Sequence, residues 1–162
     1  MAVLVAYASK HGSTRGVAEA IGAVLQESGR QADVLPISAG PDPAGYEAVV
    51  LGSAIYYGSW LDDAYAFCER HRAALAQRPL WLFSVGPLGT EVEDKAEQPH
   101  DIDELRQELR PRDHRVFFGA LDREGLGFKE RMVVKAVRAP EGDFRDWDEI
   151  RAWATGIAGQ LG

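Results

Sequence analysis

Short apolar runs alternate along the chain with longer segments whose apolar residues recur every three or four positions. Each run has the length and composition expected of a strand buried on both faces. The five runs are Val3–Tyr7, Ala32–Ile37, Ala48–Gly52, Leu80–Val85 and Val116–Ala120. Because buried strands that alternate with helices form βαβ units, the pattern predicts an α/β fold with a doubly wound, five-stranded parallel sheet.

The helical segments carry recognisable start and stop signals. The first helix includes Val17 and Leu25 and ends at Gly29, and the third, from Ile102 to Leu109, is closed by Pro111. The second helix spans Leu61 to Leu75, and its start is signalled by the capping-box sequence Ser59-Trp60-Leu61-Asp62. A second capping-box pattern, Asp146-Trp147-Asp148-Glu149, opens the last helix, whose predicted buried face is formed by Ile150, Trp153, Ala154, Ile157 and Leu161.

The length of 162 residues predicts a single domain over residues 1–162, with no internal repeat and no low-complexity linker. One connection departs from the pattern. The segment from Asp122 to Arg145, between the fifth strand and the last helix, is longer than ordinary connections. Loops of that length are usually functional, so we expect an elaborated loop or helix there.

Composition and charge exclude several classes of protein. A formal net charge of −7 argues against general nucleic-acid binding, which requires basic surface. The single cysteine, Cys68, cannot form an intramolecular disulfide, and its place on a predicted helix face favours a buried, inert thiol. The N-terminus lacks a signal-peptide pattern and no run is long enough to span a membrane, so we expect a cytoplasmic protein.

The first strand is followed by a loop rich in hydroxyl groups, Ser9-Lys10-His11-Gly12-Ser13-Thr14. A glycine that lets the backbone turn, hydroxyl donors and a helix N-terminus together favour an anion such as a phosphate. The alternative is an ordinary helix cap made by Ser13 or Thr14. No lysine follows Gly12, so the loop is not a P-loop, and it also lacks the G-x-G-x-x-G pattern of dinucleotide-binding loops.

The second and third loops lie after the third and fourth strands, where ligands bind in such sheets. The second loop, from Ser53 to Trp60, carries aromatic residues around Gly58, which favours stacking against a flat ligand. The alternative is that Tyr57 and Trp60 pack on the following helix. The third loop, from Ser84 to Gly89, contains no aromatic ring.

The first loop resembles the FMN phosphate loop of flavodoxins, with His11 where a hydroxyl residue is common. The resemblance implies the strand order 2-1-3-4-5 and bound FMN. It also implies that the three loops supply the cofactor-binding residues, which are Ser9, Lys10, His11, Gly12, Ser13 and Thr14, then Ser53, Ala54, Ile55, Tyr56, Tyr57, Gly58 and Trp60, and finally Ser84, Val85, Gly86, Pro87, Leu88 and Gly89.

Within that family, Gly52-Ser-Ala-Ile-Tyr-Tyr-Gly58 is similar to the second loop of the menaquinone-dependent protoporphyrinogen dehydrogenases. Residues Phe128–Val137, followed by Asp146-Trp147, resemble their insertion and its join to the last helix. The resemblance implies an FMN-dependent oxidoreductase acting on a protoporphyrinogen-like substrate with a quinone-type acceptor. No catalytic side chain is assigned, because the flavin carries the chemistry.

Charge patterning leaves alternatives open. Residues 123–138 hold five basic and two acidic residues, and 128–138 could form a basic amphipathic helix that makes weak membrane contact, grips propionates or simply covers the domain. Residues 91–104 hold seven acidic residues and one lysine. That run suits an electron-transfer protein with basic redox partners, or an ordinary solvated face. The dispersed histidines 71, 100 and 114 suggest no metal site.

Overall fold

The structure, a computed structural model, describes residues 2–9, 13–56, 59–86, 102–117, 120–121, 142–143 and 146–161. The eight strands are β1 (Ala2–Ala8), β2 (Gln31–Pro36), β3 (Ala48–Tyr56), β4 (Ser59–Trp60), β5 (Leu80–Val85), β6 (Asp113–Phe117), β7 (Ala120–Leu121) and β8 (Gly142–Asp143). The five helices are α1 (Ser13–Glu27), α2 (Asp62–Arg70), α3 (Arg72–Ala76), α4 (Ile102–Leu109) and α5 (Trp147–Gln160).

Five parallel strands form the central sheet in the order β2-β1-β3-β5-β6. Counting only these parallel strands, the order is 2-1-3-4-5, so the predicted fold class is confirmed. A short antiparallel strand, β4, pairs with the end of β3 and makes a β3–β4 hairpin. The pair β7–β8 forms a separate two-stranded sheet.

Each face of the sheet is covered by helices, because successive residues of every central strand point to opposite sides. Val3, Val5 and Phe83 pack in a cluster with α1 and α5. Leu4 and Leu82 belong to the cluster on the other face, with α2, α3 and α4. The continuous apolar runs therefore lie buried on both sides, as their composition predicts.

Three predicted elements differ from the structure. The third strand continues to Tyr56 instead of ending at Gly52, so residues 53–56 of the predicted second loop lie in β3. The fifth parallel strand occupies Asp113–Phe117 instead of Val116–Ala120. The polar residues at its start are tolerated because Arg115 is exposed on this edge strand and the buried His114 has a hydrogen-bond partner in Ser84. The predicted second helix is two helices, α2 and α3, separated at His71, whose ψ of 20° departs from α-helical geometry.

The predicted capping box at the start of that helix is also wrong. Ser59 lies in β4, opposite Tyr56, and the residue before α2 is Leu61, which has no capping side chain. Backbone hydrogen bonds from Ala64 and Tyr65 to the Leu61 carbonyl hold the first turn instead. The remaining boundary signals are confirmed. Gly29 follows α1 with φ 88°, α4 ends two residues before Pro111, and Asp146 caps α5 by accepting from the Glu149 N–H.

The predicted insertion, residues 122–145, and its basic segment 128–138 lie outside the described residues apart from the β8 pair. The acidic run 91–104 is described only from residue 102 onward. Among the helices that the structure describes, none is both long and apolar enough to cross a bilayer.

Candidate functional site

Three strand ends meet at one edge of the sheet. Ala8 of β1 pairs with Ser53 of β3, and Ser53 pairs in turn with Ser84 of β5. The loops that follow these strands therefore start side by side. The chain leaves β1 towards β2 on one side, whereas β3 lies on the other, so the edge between β1 and β3 is the topological switch point where α/β sheets bind ligands.

Thr14 lies in the first turn of α1, directly beyond the end of β1. Its side chain is fully buried, and its hydroxyl oxygen has no hydrogen-bond partner among the described residues. Because α1 begins at Ser13, Thr14 lies inside the helix and does not occupy the cap position. A buried hydroxyl without a partner is costly, and helix N-termini favour anions, so this arrangement suits an anionic ligand.

The β3–β4 hairpin is fastened to the sheet by side-chain hydroxyls. The Ser53 hydroxyl, fully buried, accepts from the Leu61 backbone N–H at 3.1 Å and donates to the Ala54 carbonyl at 2.9 Å. The Tyr65 hydroxyl of α2 accepts from the Trp60 backbone N–H at 3.2 Å. The short strand β4 thus has a defined position at the edge of the site.

Beneath the hairpin, a chain of polar side chains runs through an otherwise apolar face. The Trp60 indole N–H donates to the Ser84 hydroxyl at 2.7 Å, and that hydroxyl lies 2.8 Å from Nε2 of His114. The exposed fractions of the three side chains are 2%, 0% and 8%. The packing alternative noted for Trp60 therefore fits the structure, and its assignment as a direct cofactor contact stays a prediction.

Gly86 begins the third loop in a conformation that glycine adopts readily. Its φ is 121°, its backbone N–H donates to the Phe117 carbonyl at 2.8 Å, and it packs beside Ile55. Gly52 in β3 lies against the ring of Phe83, where any side chain would collide with that ring. Gly86 therefore lets the chain turn beside Ile55, whereas Gly52 makes room for the Phe83 ring in the core.

The structure thus brings together the described part of the predicted site. Ser9, Thr14, Ser53, Ala54, Ile55, Trp60, Ser84, Val85 and Gly86 are placed along this edge, together with the backbone of Ser13 and Tyr56. The remaining predicted residues lie outside the described ranges: Lys10, His11, Gly12, Tyr57, Gly58, Pro87, Leu88 and Gly89.

Sequence reasoning missed Tyr65 and His114 at this edge. The only signal for His114 is its position two residues before Val116, on the same side of a strand whose start was predicted too late. Cys68 is buried in α2, as predicted, and burial raises the pKa of its thiol to about 12, with a smaller contribution from Glu108. Its thiol is therefore a poor nucleophile. In the part of the chain that the structure describes, no group of metal-ligating side chains occurs.

Comparison with known proteins agrees with this geometry. The model of the flavodoxin domain family matches residues 4–148. The chain belongs to the flavodoxin family. A curated relative, the Escherichia coli K-12 protein named protoporphyrinogen IX dehydrogenase [quinone], is 25% identical over 98% of this chain and 95% of that protein.

Solved flavodoxins share the fold over their whole length. A flavodoxin from the domain Archaea superposes with a TM-score of 0.68 and 19% identity, covering 99% of each chain. Oxidised flavodoxin 1 from Bacillus cereus gives a TM-score of 0.64 with 14% identity, covering 100% of each chain. The flavodoxin fold is an FMN-binding fold, and its flavin lies at the switch point between the first and third strands.

The residues present fit that cofactor. A phosphate group would supply the acceptor that the buried Thr14 hydroxyl does not find among the described residues, at a helix end that favours negative charge. The same edge offers the positive-φ turn of Gly86 beside Ile55.

Proposed function

We propose that this protein is an FMN-dependent oxidoreductase whose FMN phosphate binds at the N-terminus of α1. The observation that carries the proposal is the fully buried Thr14 hydroxyl at the switch point, which has no hydrogen-bond partner among the described residues. Ser9, Lys10, His11, Gly12 and Ser13 complete the proposed phosphate loop. Backbone N–H groups and hydroxyls bind the phosphate there, and the first-turn N–H groups of α1 have no partners within the helix.

The isoalloxazine ring is proposed to lie against the second and third loops, residues 53–58 and 84–89. Two features support this placement: the hairpin is fastened by Ser53 and Tyr65, and the positive φ of Gly86 turns the chain at the end of β5. When bound, FMN supplies the capacity to accept and release one or two electrons. The protein's own groups bind it, orient it and control access to its ring.

The proposed substrate is a protoporphyrinogen-like compound, and the proposed acceptor is a quinone. The name and full-length similarity of the E. coli relative support this choice. A second support is the composition of the third loop, Val85-Gly-Pro-Leu-Gly89, which has no aromatic ring to cover the flavin. The propionates of such a substrate suit the basic segment 128–138, and weak membrane contact through that segment stays a prediction.

The decisive experiment is an anaerobic reaction of FMN-loaded protein with protoporphyrinogen IX and a water-soluble quinone. We expect loss of flavin absorbance near 450 nm on adding protoporphyrinogen, its return on adding quinone, and the appearance of porphyrin fluorescence. Protein without FMN is the control for uncatalysed oxidation. Flavin absorbance that does not change with protoporphyrinogen would eliminate this substrate.

A second candidate is an electron-transfer protein that serves other redox proteins. The acidic run 91–104 favours it, because such a surface attracts basic partners. In this case protoporphyrinogen leaves the flavin oxidised, whereas a reductase–NADPH system reduces it at a rate that falls as salt is added. A cytoplasmic location stays a prediction for either function, and a single buried thiol is compatible with a reducing compartment.

A further inference from the structure

The buried chain Trp60–Ser84–His114 connects three separate segments of the flavin site. Trp60 is in β4, Ser84 is near the end of β5, and His114 is in β6. The indole can only donate, so the Ser84 oxygen accepts from it, and the direction of the bond between Ser84 and Nε2 of His114 depends on the His114 tautomer. These two buried hydrogen bonds join the hairpin to the edge strand.

The position of Ser84 makes this chain a link between two loops. Ser84 lies two residues before Gly86, where the third loop begins, and it pairs in register with Ser53 at the root of the hairpin. Other bonds of the hairpin, from Leu61 to Ser53 and from Trp60 to Tyr65, reach β3 and α2. The bond from Trp60 to Ser84 reaches β5, the strand that carries the third loop.

The hydrogen bonds of Trp60, Ser84 and His114 contribute more to fixing the geometry of the site than to the stability of the fold. The buried chain crosses a face built from Leu51, Leu82 and other apolar side chains. A buried hydrogen bond between uncharged groups adds little net stability, and apolar residues of the same shape can replace the pair at little cost. What the polar chain adds is direction, because each donor must meet one acceptor at a fixed place.

We propose that Trp60 and Ser84 are positioning residues that lie beneath the flavin site and fix the separation of the β3–β4 hairpin and the Gly86 turn. His114 orients the Ser84 hydroxyl from the far side. The inference rests on the proposed binding of FMN at this edge. It assigns both residues an indirect role: they set the shape of the site for the isoalloxazine ring without requiring contact with it.

The test uses full-length protein and the variants Trp60→Phe, Ser84→Ala and their double combination. Affinity for FMN is measured by quenching of flavin fluorescence, and the visible circular dichroism of bound FMN reports the surroundings of the ring. We expect each single variant to weaken FMN binding about tenfold and to change the dichroism in the same way. The double variant should match Ser84→Ala, because that change already removes the Trp60–Ser84 bond together with the Ser84–His114 bond, so adding Trp60→Phe removes nothing further.

Trp153→Phe is the matched control. It also removes an indole N–H bond, from Trp153 to Asp113 at 2.9 Å, but on the face of the sheet that packs against α1 and α5. We expect its FMN affinity and dichroism to stay within about twofold of the wild-type values, whatever urea unfolding shows for its stability. Ser84→Thr keeps the hydroxyl and should retain most of the affinity that Ser84→Ala loses.

The outcomes separate this inference from the function on which it rests. Wild-type protein that binds no FMN overturns the proposed function, and the positioning role with it, before any variant is made. Wild-type binding with unchanged affinity and dichroism in Trp60→Phe and Ser84→Ala overturns the positioning role alone. Additive losses in the double variant also overturn it, because the two side chains would then act separately. Should Ser84→Ala fail to fold, Trp60→Phe breaks the same bond while keeping an aromatic ring.

Discussion

Thr14 combines two properties that are rarely found together in a folded protein. Its side chain is fully buried, yet its hydroxyl has no partner among the described residues. Leaving such a group unsatisfied costs about 1–3 kcal/mol. The cost is reasonable where a ligand completes the hydrogen bond, and the first turn of a helix at the switch point is such a place.

Thr14→Val tests this interpretation, because valine keeps the shape and removes the hydroxyl. We expect the FMN-free protein to be equally stable or more stable by about 1 kcal/mol, while affinity for FMN falls about tenfold. Urea unfolding and fluorescence titration measure the two effects. Thr155→Val, which removes a hydroxyl bonded to the Arg151 carbonyl on the exposed face of α5, is the control. A less stable apo-protein with unchanged FMN affinity would show that Thr14 serves the fold.

Asp113 is a charged residue whose pKa follows from its contacts. Partial burial would raise the pKa of this carboxyl, but hydrogen bonds from the Trp153 indole, the His114 backbone N–H and Arg115 together lower it below the usual 3.8. A lowered pKa means that the folded state favours the charged form. The stabilisation is therefore fully present above the ordinary pKa and is lost as the pH falls through the lowered value.

We expect Asp113→Asn to reduce stability at pH 5–7, and the difference from wild type to shrink as the pH falls below about 3.8. The effect should stay under about 1 kcal/mol, because 42% of the Asp113 side chain is exposed and solvent screens its charge. Urea unfolding at several pH values measures it, with Asp63→Asn in the exposed first turn of α2 as control. A difference that grows on acidification would contradict the assignment.

At the scale of elements, local sequence signals predict a boundary correctly where that boundary depends only on the residues next to it. The apolar run Leu80–Val85 is a strand with the predicted limits, and Gly29 and Pro111 end helices as their backbone chemistry requires. Local signals fail where tertiary contacts determine the structure. Ser59 has the sequence pattern of a helix cap but lies in the β3–β4 hairpin. His114 is polar, yet it lies in a buried strand position because Ser84 is its hydrogen-bond partner.

The candidate site shows the same division. The loops could be placed from the strand pattern alone, because parallel strands bring their carboxyl ends to one edge. The hydrogen bonds inside the site could not be predicted from the sequence, because Trp60 and Ser84 are 24 residues apart and Ser84 and His114 are 30 apart. No local periodicity encodes such pairs.

The cap of α5 gives a prediction for a single element. The Asp146 carboxylate accepts from the Glu149 N–H at 3.1 Å, so Asp146→Ala should cost about 1 kcal/mol and lower the melting temperature by about 2–4 °C. Asp148→Ala removes an acidic residue from the same first turn without removing the capping bond, and it should cost less. Thermal unfolding followed by circular dichroism measures both, and equal losses would mean that charge near the helix end, not the capping bond, is what matters.

Over the whole molecule, the site depends on several distant segments that the sheet holds together. Ser53 and Ser84 pair in register across the sheet, and Thr14 lies at the start of the helix that follows β1. A ligand that contacts all three loops therefore binds the folded state and has no comparable site on the unfolded chain. Binding of that kind stabilises the fold in proportion to the logarithm of ligand concentration over Kd.

FMN should therefore raise the melting temperature, and riboflavin should do so less at the same concentration. At about one hundred times its Kd, FMN adds about 2.7 kcal/mol, which corresponds to about 5–10 °C for a chain of this size. Riboflavin has the same ring but no phosphate, so it cannot use the Thr14 hydroxyl or the N-terminus of α1. Thermal scans with each flavin, and with inorganic phosphate as control, measure the difference.

Equal shifts in melting temperature from FMN and riboflavin would mean that the protein recognises only the ring, and Thr14→Val should then leave the FMN shift unchanged. If the phosphate is recognised at α1, Thr14→Val instead brings the FMN shift closer to that of riboflavin.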